Sequence, residues 1–190
     1  MVNKLSPPRL VRSTFTTSRE LEYFTPEELT KQIGHSLDQW PEAITKELID
    51  NALDACEEFP NLAPLVTVTV DGNRITVGDN AGDTGLPEDT LKNAQDYGVT
   101  VSTKAHYKAP LRGRQGNALK TVWAAPYVYN GGGNEGIGRV EIVTPKYAYE
   151  ITASVDQIKR KPTTTQTAIE RFVEIGTSIT IEWTRPVAKQ

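Results

Sequence analysis

The sequence predicts an α+β fold, a two-layer sandwich with helices on one face of a mainly antiparallel or mixed sheet. Two observations lead there. Apolar residues recur at helical spacing between residues 26 and 58 and again after Gly116. Alternating or β-branched runs joined by tight turns mark hairpins near residues 65–78 and 139–155.

Leu29, Ile33, Leu37 and Trp40 space a helix from Pro26 to Trp40, with Thr25 as its N-cap and Pro26 in its first turn. A second helix spans Pro41 to Glu58 and is ended by Phe59-Pro60. From Leu65 to Val70, Val66, Val68 and Val70 alternate with threonines, the pattern of a half-buried strand. Asp71-Gly72-Asn73 turns the chain into a partner strand over Arg74 to Gly78. Pro87 to Tyr97 reads as a short helix, followed by a polar stretch over residues 98–113. A helix starting near Gly116 carries Leu119, Val122 and Trp123, and Pro126 is expected to stop it. Gly131 to Gly138 is a glycine-rich connection; lacking a basic residue and preceding a strand, it is read as a flexible loop rather than a phosphate cradle. Arg139 to Thr144 and Tyr147 to Val155 form the second hairpin across Pro145-Lys146. Thr167 to Glu174 and Ser178 to Trp183 complete the expected strands.

A chain of 190 residues is most economically one domain with a substantial core, here over residues 19–190, with residues 1–18 as a flexible arm containing Pro7-Pro8. Charged residues make up 24% and the net charge is −3, which gives global nucleic-acid binding no support. Locally, Val101 to Lys120 holds Lys104, Lys108, Arg112, Arg114 and Lys120 without one acidic residue. That stretch points to an anionic partner, a triphosphate or a nucleic-acid backbone. Cys56 is the only cysteine, so neither a disulfide framework nor a cysteine zinc site is available, and its place on an apolar helix side makes it a core residue. His35 and His106 have no companion ligands in the pattern. With no signal peptide and no apolar run near the ~20 residues that span a bilayer, a cytoplasmic protein without membrane contact is expected.

Four segments carry chemistry. Glu47, Asp50, Asn51 and Asp54 fall within about 100° of arc on the second helix, opposite Leu48, Ile49, Ala52 and Cys56. On its own such a face is usually solvated surface. Asp79-Asn80 ends a strand and is followed by Gly82 and Gly85, so a carboxylate stands where the backbone can approach a flat ring and accept from its amine. Arg112-Gly113-Arg114-Gln115-Gly116-Asn117-Ala118 opens a helix whose free N–H groups suit an anion, although no Gly-Lys-Ser/Thr makes it a Walker loop. Gly176-Thr177 leads into the last strand.

In this order the segments resemble the motifs of the GHKL superfamily, the ATP-binding domains shared by gyrase, heat-shock chaperone, histidine kinase and MutL-type mismatch-repair ATPases. Glu47 to Ala55 resembles the N box, Val77 to Pro87 the adenine-binding box, and Ser102-Thr103-Lys104 through Gly116 the ATP lid and phosphate loop. The Ala55-Cys56-Glu57-Glu58 ending and the Arg-Gly-x-Gln-Gly loop look most like topoisomerase VI B-like proteins. The resemblance, over about Arg19 to Trp183, implies a Bergerat-type fold that binds ATP with Mg²⁺. It implies Glu47 as the general base for water and Asn51 as the Mg²⁺ ligand, with Asp50 and Asp54 supporting that face. It implies Asp79 as acceptor of the adenine amino group with Thr177 beside it, and Gly85 and Leu86 shaping the base pocket. Lys104 and the backbone from Gly113 through Arg114, Gln115, Gly116 and Asn117 to Ala118 would hold phosphates. Implied partners are a topoisomerase A-like subunit or a downstream transducer domain, DNA indirectly, and a second copy of the chain in a nucleotide-dependent dimer.

Three departures qualify the match. Extra residues between Asp79 and the second glycine leave open whether Gly82 or Gly85 lines the pocket. Ala118 replaces the last lid glycine. No transducer lysine follows the final strand, so slow turnover is expected of this chain alone. A non-hydrolysing ATP sensor and a histidine-kinase-type catalytic domain are the competing functions. The carboxylate at Glu47 suits transfer to water better than transfer to histidine.

Overall fold

A computed structural model describes residues 20–59, 61–97, 118–132, 138–156, 158–159 and 161–184. Four helices, α1 (Pro26–Ile33), α2 (Trp40–Glu57), α3 (Glu88–Gln95) and α4 (Ala118–Tyr129), cover one face of a six-stranded sheet. Its strands are β1 (Val66–Asp71), β2 (Arg74–Asp79), β3 (Gly138–Val143), β4 (Ala148–Asp156), β5 (Lys161–Ala168) and β6 (Ser178–Glu182). They run β1-β2-β6-β3-β4-β5, every pair antiparallel, so the fold is an α+β two-layer sandwich.

The register separates the two faces cleanly. Ile75, Ile181, Val140 and Ile151 form one cross-strand row, and Val77, Ile179 and Ile142 the next. Both rows are buried, under Ile44, Leu48 and Ala52 of α2 and Val122 and Trp123 of α4. The rows between them point away from the helices and are polar: Thr76 and Thr180 share a 2.9 Å hydroxyl contact, and Arg74 reaches Glu141 at 2.7 Å. Period-two alternation therefore decides which side of each strand meets the helices. The β1–β2 turn is fastened to the end of β6, where Asn73 Nδ2 donates to the Trp183 carbonyl at 2.6 Å.

Several expectations need correction. The helix expected from Pro26 to Trp40 breaks at Gly34, which takes φ +78° and donates to the Thr30 carbonyl at 2.8 Å. This is a left-handed C-cap, and a short 3₁₀ turn, Leu37–Gln39, leads into α2. β1 is not half-buried. Val68 and Val70 point to the helix side but remain 46% and 42% exposed, because the helical layer does not extend over that edge. Pro126 does not stop α4, which runs on to Tyr129; the helix continues one turn past the residue that lacks an N–H. The strand expected over Thr167 to Glu174 is instead Lys161–Ala168, whose Thr-rich run lacks the apolar alternation that marks a strand in sequence.

β6 is central, and Ile181 is 1% exposed within it. Ile181→Ala should cost about 2–5 kcal/mol through lost burial and the cavity left behind, readable as a shift in the denaturant unfolding midpoint.

Candidate functional site

The site is assembled where the end of β2 meets the start of β6. The Asp79 N–H donates to the Thr177 carbonyl at 2.9 Å, and the Gly176 N–H to the Gly82 carbonyl at 2.8 Å. The Asp79 carboxylate accepts from the backbone N–H groups of Ala81 at 2.9 Å and Thr177 at 3.1 Å, both on Oδ1. Oδ2 is the oxygen left to accept from a ligand. The Thr177 hydroxyl in turn accepts from the Leu86 N–H at 2.8 Å, drawing the far end of the loop onto the same strand. Glycine at 176 is obligatory for this closure. Its φ is +73°, and a Cβ there would stand 2.0 Å from the Asp79 carbonyl oxygen.

Burial pushes the Asp79 carboxyl above its usual range, opposed by the two backbone donors. A half-buried carboxyl so perturbed, at the end of a strand and in a cavity wall, is a candidate binding group. The cavity has a volume of about 460 Å³, the size of a small-molecule site. Its walls come from α2 (Leu48, Asn51, Asp54), the β2–α3 loop (Asp79, Gly85, Leu86), α3, the start of α4 and Thr177 with Ile179.

Of the residues singled out in the sequence, Asn51, Asp54, Asp79, Gly85, Leu86, Ala118 and Thr177 converge on this one cavity. Gly85, not Gly82, stands in its wall; Gly82 lies against the Cζ end of the Phe59 ring instead. Glu47 sits one turn before Asn51 on α2, half-buried, and is not among the lining residues. Asp50 points to the outer side of that helix and pairs with Lys46 at 2.6 Å. Lys104, Gly113, Arg114, Gln115, Gly116 and Asn117 lie outside the described residues. The described residues contain no cluster of three His, Cys, Asp or Glu side chains able to hold a metal, so a cation here would depend on Asn51, Asp54 and its ligand's own oxygens. No helix among the described residues is long and apolar enough to cross a membrane.

Lys120 is a residue whose place the sequence did not reveal. It is 2% exposed, lines the cavity, and its Nζ donates to the Asp96 carbonyl at the end of α3. Desolvation lowers its pKa. In sequence it is the last member of a basic stretch, and only the α3–α4 contact separates it from a surface lysine. Leu48 and Ala52 fall on the apolar side of α2 in a helical projection, yet both line the cavity. The cavity therefore follows the seam between the polar and apolar faces of that helix.

No protein-family model and no curated protein matches the sequence. Among solved structures, the chain is similar to the N-terminal domain of a DNA repair protein, at 21% identity over 74% of this chain and 34% of that one, with a TM-score of 0.38. It is similar to the ATP-binding domain of topoisomerase IV from Francisella tularensis in complex with a small-molecule inhibitor, at 18% identity over 75% and 63% of the two chains, TM-score 0.40. It is also similar to the 43K ATPase domain of Thermus thermophilus gyrase B in complex with an aminocoumarin, at 19% identity over 87% and 40%, TM-score 0.40. These likenesses are too distant to establish a family. The chain spans between 34% and 63% of the length of those three structures.

The sign of the Asp79 shift predicts a pH dependence. Its folded pKa lies above the unfolded value of about 3.8, so its contribution to stability is fully present below that value and is lost as pH rises through the folded pKa. Asp79→Asn cannot titrate. In melts without ligand, the Tm of this variant minus that of the parent should therefore increase with pH across that window and level off above it.

Proposed function

We propose that residues 19–190 form an ATP-binding domain of the GHKL type, most similar to topoisomerase VI B-like proteins, with residues 1–18 as an arm. The observation that carries this reading is the Asp79 carboxylate. It is clamped on one oxygen by the Ala81 and Thr177 amides and leaves the other to accept, in a cavity that Asn51 and Asp54 also line. An exocyclic amine matches that acceptor, and the apolar floor of Leu48, Val77 and Ile179 suits a flat purine.

The remaining roles follow the same axis. Gly85 and Leu86 shape the base pocket, and the Thr177 hydroxyl orients their backbone through the Leu86 N–H. Asn51 presents an amide oxygen of the kind that Mg²⁺ accepts, together with phosphate oxygens and water. Bound Mg²⁺ would neutralise phosphate charge. The start of α4, with Ala118 and the buried Lys120, lies in the wall that would meet the phosphates. Glu47 is assigned as the base that orients water, and Lys104 with residues 113–118 as the phosphate-holding segment. Asp50, tied to Lys46, supports the outer side of α2. A nucleotide-dependent homodimer, a topoisomerase A-like subunit or transducer domain, and DNA acting through them are the proposed partners.

A second reading, a non-hydrolysing ATP sensor, draws on Glu47 standing outside the cavity wall. Two measurements bear on these readings. ATP with Mg²⁺ should raise the Tm of the parent in a concentration-dependent way and leave that of Asp79→Asn unchanged, because a ligand that binds only the folded state stabilises it by mass action. No shift in the parent would remove the nucleotide assignment. Glu47→Ala should keep the ATP-dependent Tm shift while single-turnover phosphate release falls by about two to four decades. Equal release from parent and variant would remove the base assignment, and ATP binding with no release from the parent would favour the sensor.

A further inference from the structure

One aromatic ring in the cavity wall has no part in the roles above. Phe59 follows the last turn of α2, is 42% exposed, and lines the same cavity as Asp79, Gly85 and Thr177. Its backbone is held on both sides: its N–H donates to the Cys56 carbonyl at 3.0 Å, and its carbonyl accepts from the Leu62 N–H at 2.9 Å. The segment behind it is fastened by Asn80, the neighbour of the acceptor carboxylate. Asn80 Nδ2 donates to the Ala63 carbonyl at 3.0 Å, while Oδ1 accepts from the Leu65 N–H at 3.0 Å and the Cys56 thiol at 3.5 Å.

On its other side the ring rests on the loop that carries Asp79. A Cβ at Gly82 would stand 2.5 Å from Phe59 Cζ, and the φ of +71° there also favours glycine. The Cζ end of the phenyl ring is thus set against the Asp79–Leu86 loop, and the residue borders the cavity. A lone exposed phenylalanine on a surface needs no explanation. One anchored through its backbone, its neighbouring segment and a glycine seat, beside an acceptor for a ring amine, is placed to stack.

We propose that Phe59 is a specificity-determining wall of the base subsite, its ring stacking on the purine whose amino group Asp79 accepts, with Asn80 as the positioning residue that holds it there. This rests on the reading of the cavity as an adenine-nucleotide site. Stacking recognises the π-face of a base whatever its edge carries. Phe59 would therefore read the flat ring, and Asp79 the amino group on its edge.

The test is calorimetric titration of the full chain and its variants with ATP and Mg²⁺, with adenosine, and with inorganic tripolyphosphate. Phe59→Leu should weaken ATP and adenosine by the same factor, about fivefold or more, and leave tripolyphosphate unchanged. Phe59→Trp should restore affinity, and the added indole emission should be quenched with the same half-saturation as the calorimetric curve. Asn80→Ala, which releases the segment behind the ring, should weaken ATP and adenosine in the parent, leave tripolyphosphate unchanged and add nothing in the Phe59→Leu background, a check that does not depend on one variant folding well. If Phe59→Leu binds ATP and adenosine as tightly as the parent while Asp79→Asn has lost both, the stacking role is overturned and the nucleotide site survives. If the parent itself binds neither ATP nor adenosine, the nucleotide reading fails, and this inference with it.

Discussion

Everything at the site depends on the interlock between Asp79 at the end of β2 and Gly176-Thr177 at the start of β6. Backbone and side chain of Asp79 both bond to Thr177, and Thr177 holds Leu86 through its hydroxyl. Both ends of the Asp79–Leu86 loop are thereby tied to one segment nearly a hundred residues further along the chain, closing it around one carboxylate. The approach is so tight that only a glycine fits at 176, where any side chain would collide with the Asp79 carbonyl. The sheet supplies the rigidity behind it, since β2 and β6 are neighbours joined through register from Gly78–Ser178 to Arg74–Glu182. A site mounted on paired strands keeps its geometry better than one carried by loops alone.

Electrostatics divide the cavity into regions of opposite demand. Asp79 is a half-buried carboxyl whose ionisation burial disfavours, and Lys120 is a lysine whose ammonium desolvation disfavours. Each is stabilised by groups suited to its charged form, backbone N–H donors for the first and the Asp96 carbonyl for the second. An uncompensated buried charge is expensive, and both groups have partners that offset that cost. The apolar patches between them, Leu48, Ala52, Val77 and Ile179, belong to the same rows that build the core. The cavity is an extension of the fold's own packing seam.

Much of this was readable from residues in order. Turn residues marked both hairpins, Ser178 to Trp183 was expected as the last strand, and the polar arc of α2 included Asn51 and Asp54, which line the cavity. What escaped had physical reasons. Helical periodicity continues through Gly34 because side-chain spacing says nothing of a left-handed cap. β1 alternates like a buried strand, but burial depends on a covering layer that local sequence does not encode. β5 is built from threonines and a glutamine, and pairing with β4 rather than hydrophobic patterning makes it a strand. Asp50 and Asp54 look equivalent on a helical projection; the nearby Lys46 takes the first outward, while the second faces the cavity. Lys120 looks like one more surface cation, because its partner is a carbonyl and carbonyls leave no mark in sequence.

The tie between Lys120 and Asp96 locks two parts of the cavity wall together. Nζ of Lys120 holds the C-terminal end of α3, and the Tyr97 hydroxyl donates back to the Lys120 carbonyl at 3.2 Å. The two bonds run in opposite directions between the end of α3 and the first turn of α4, so neither element shifts without straining the other. Damage at this one lysine would be felt in both walls at once.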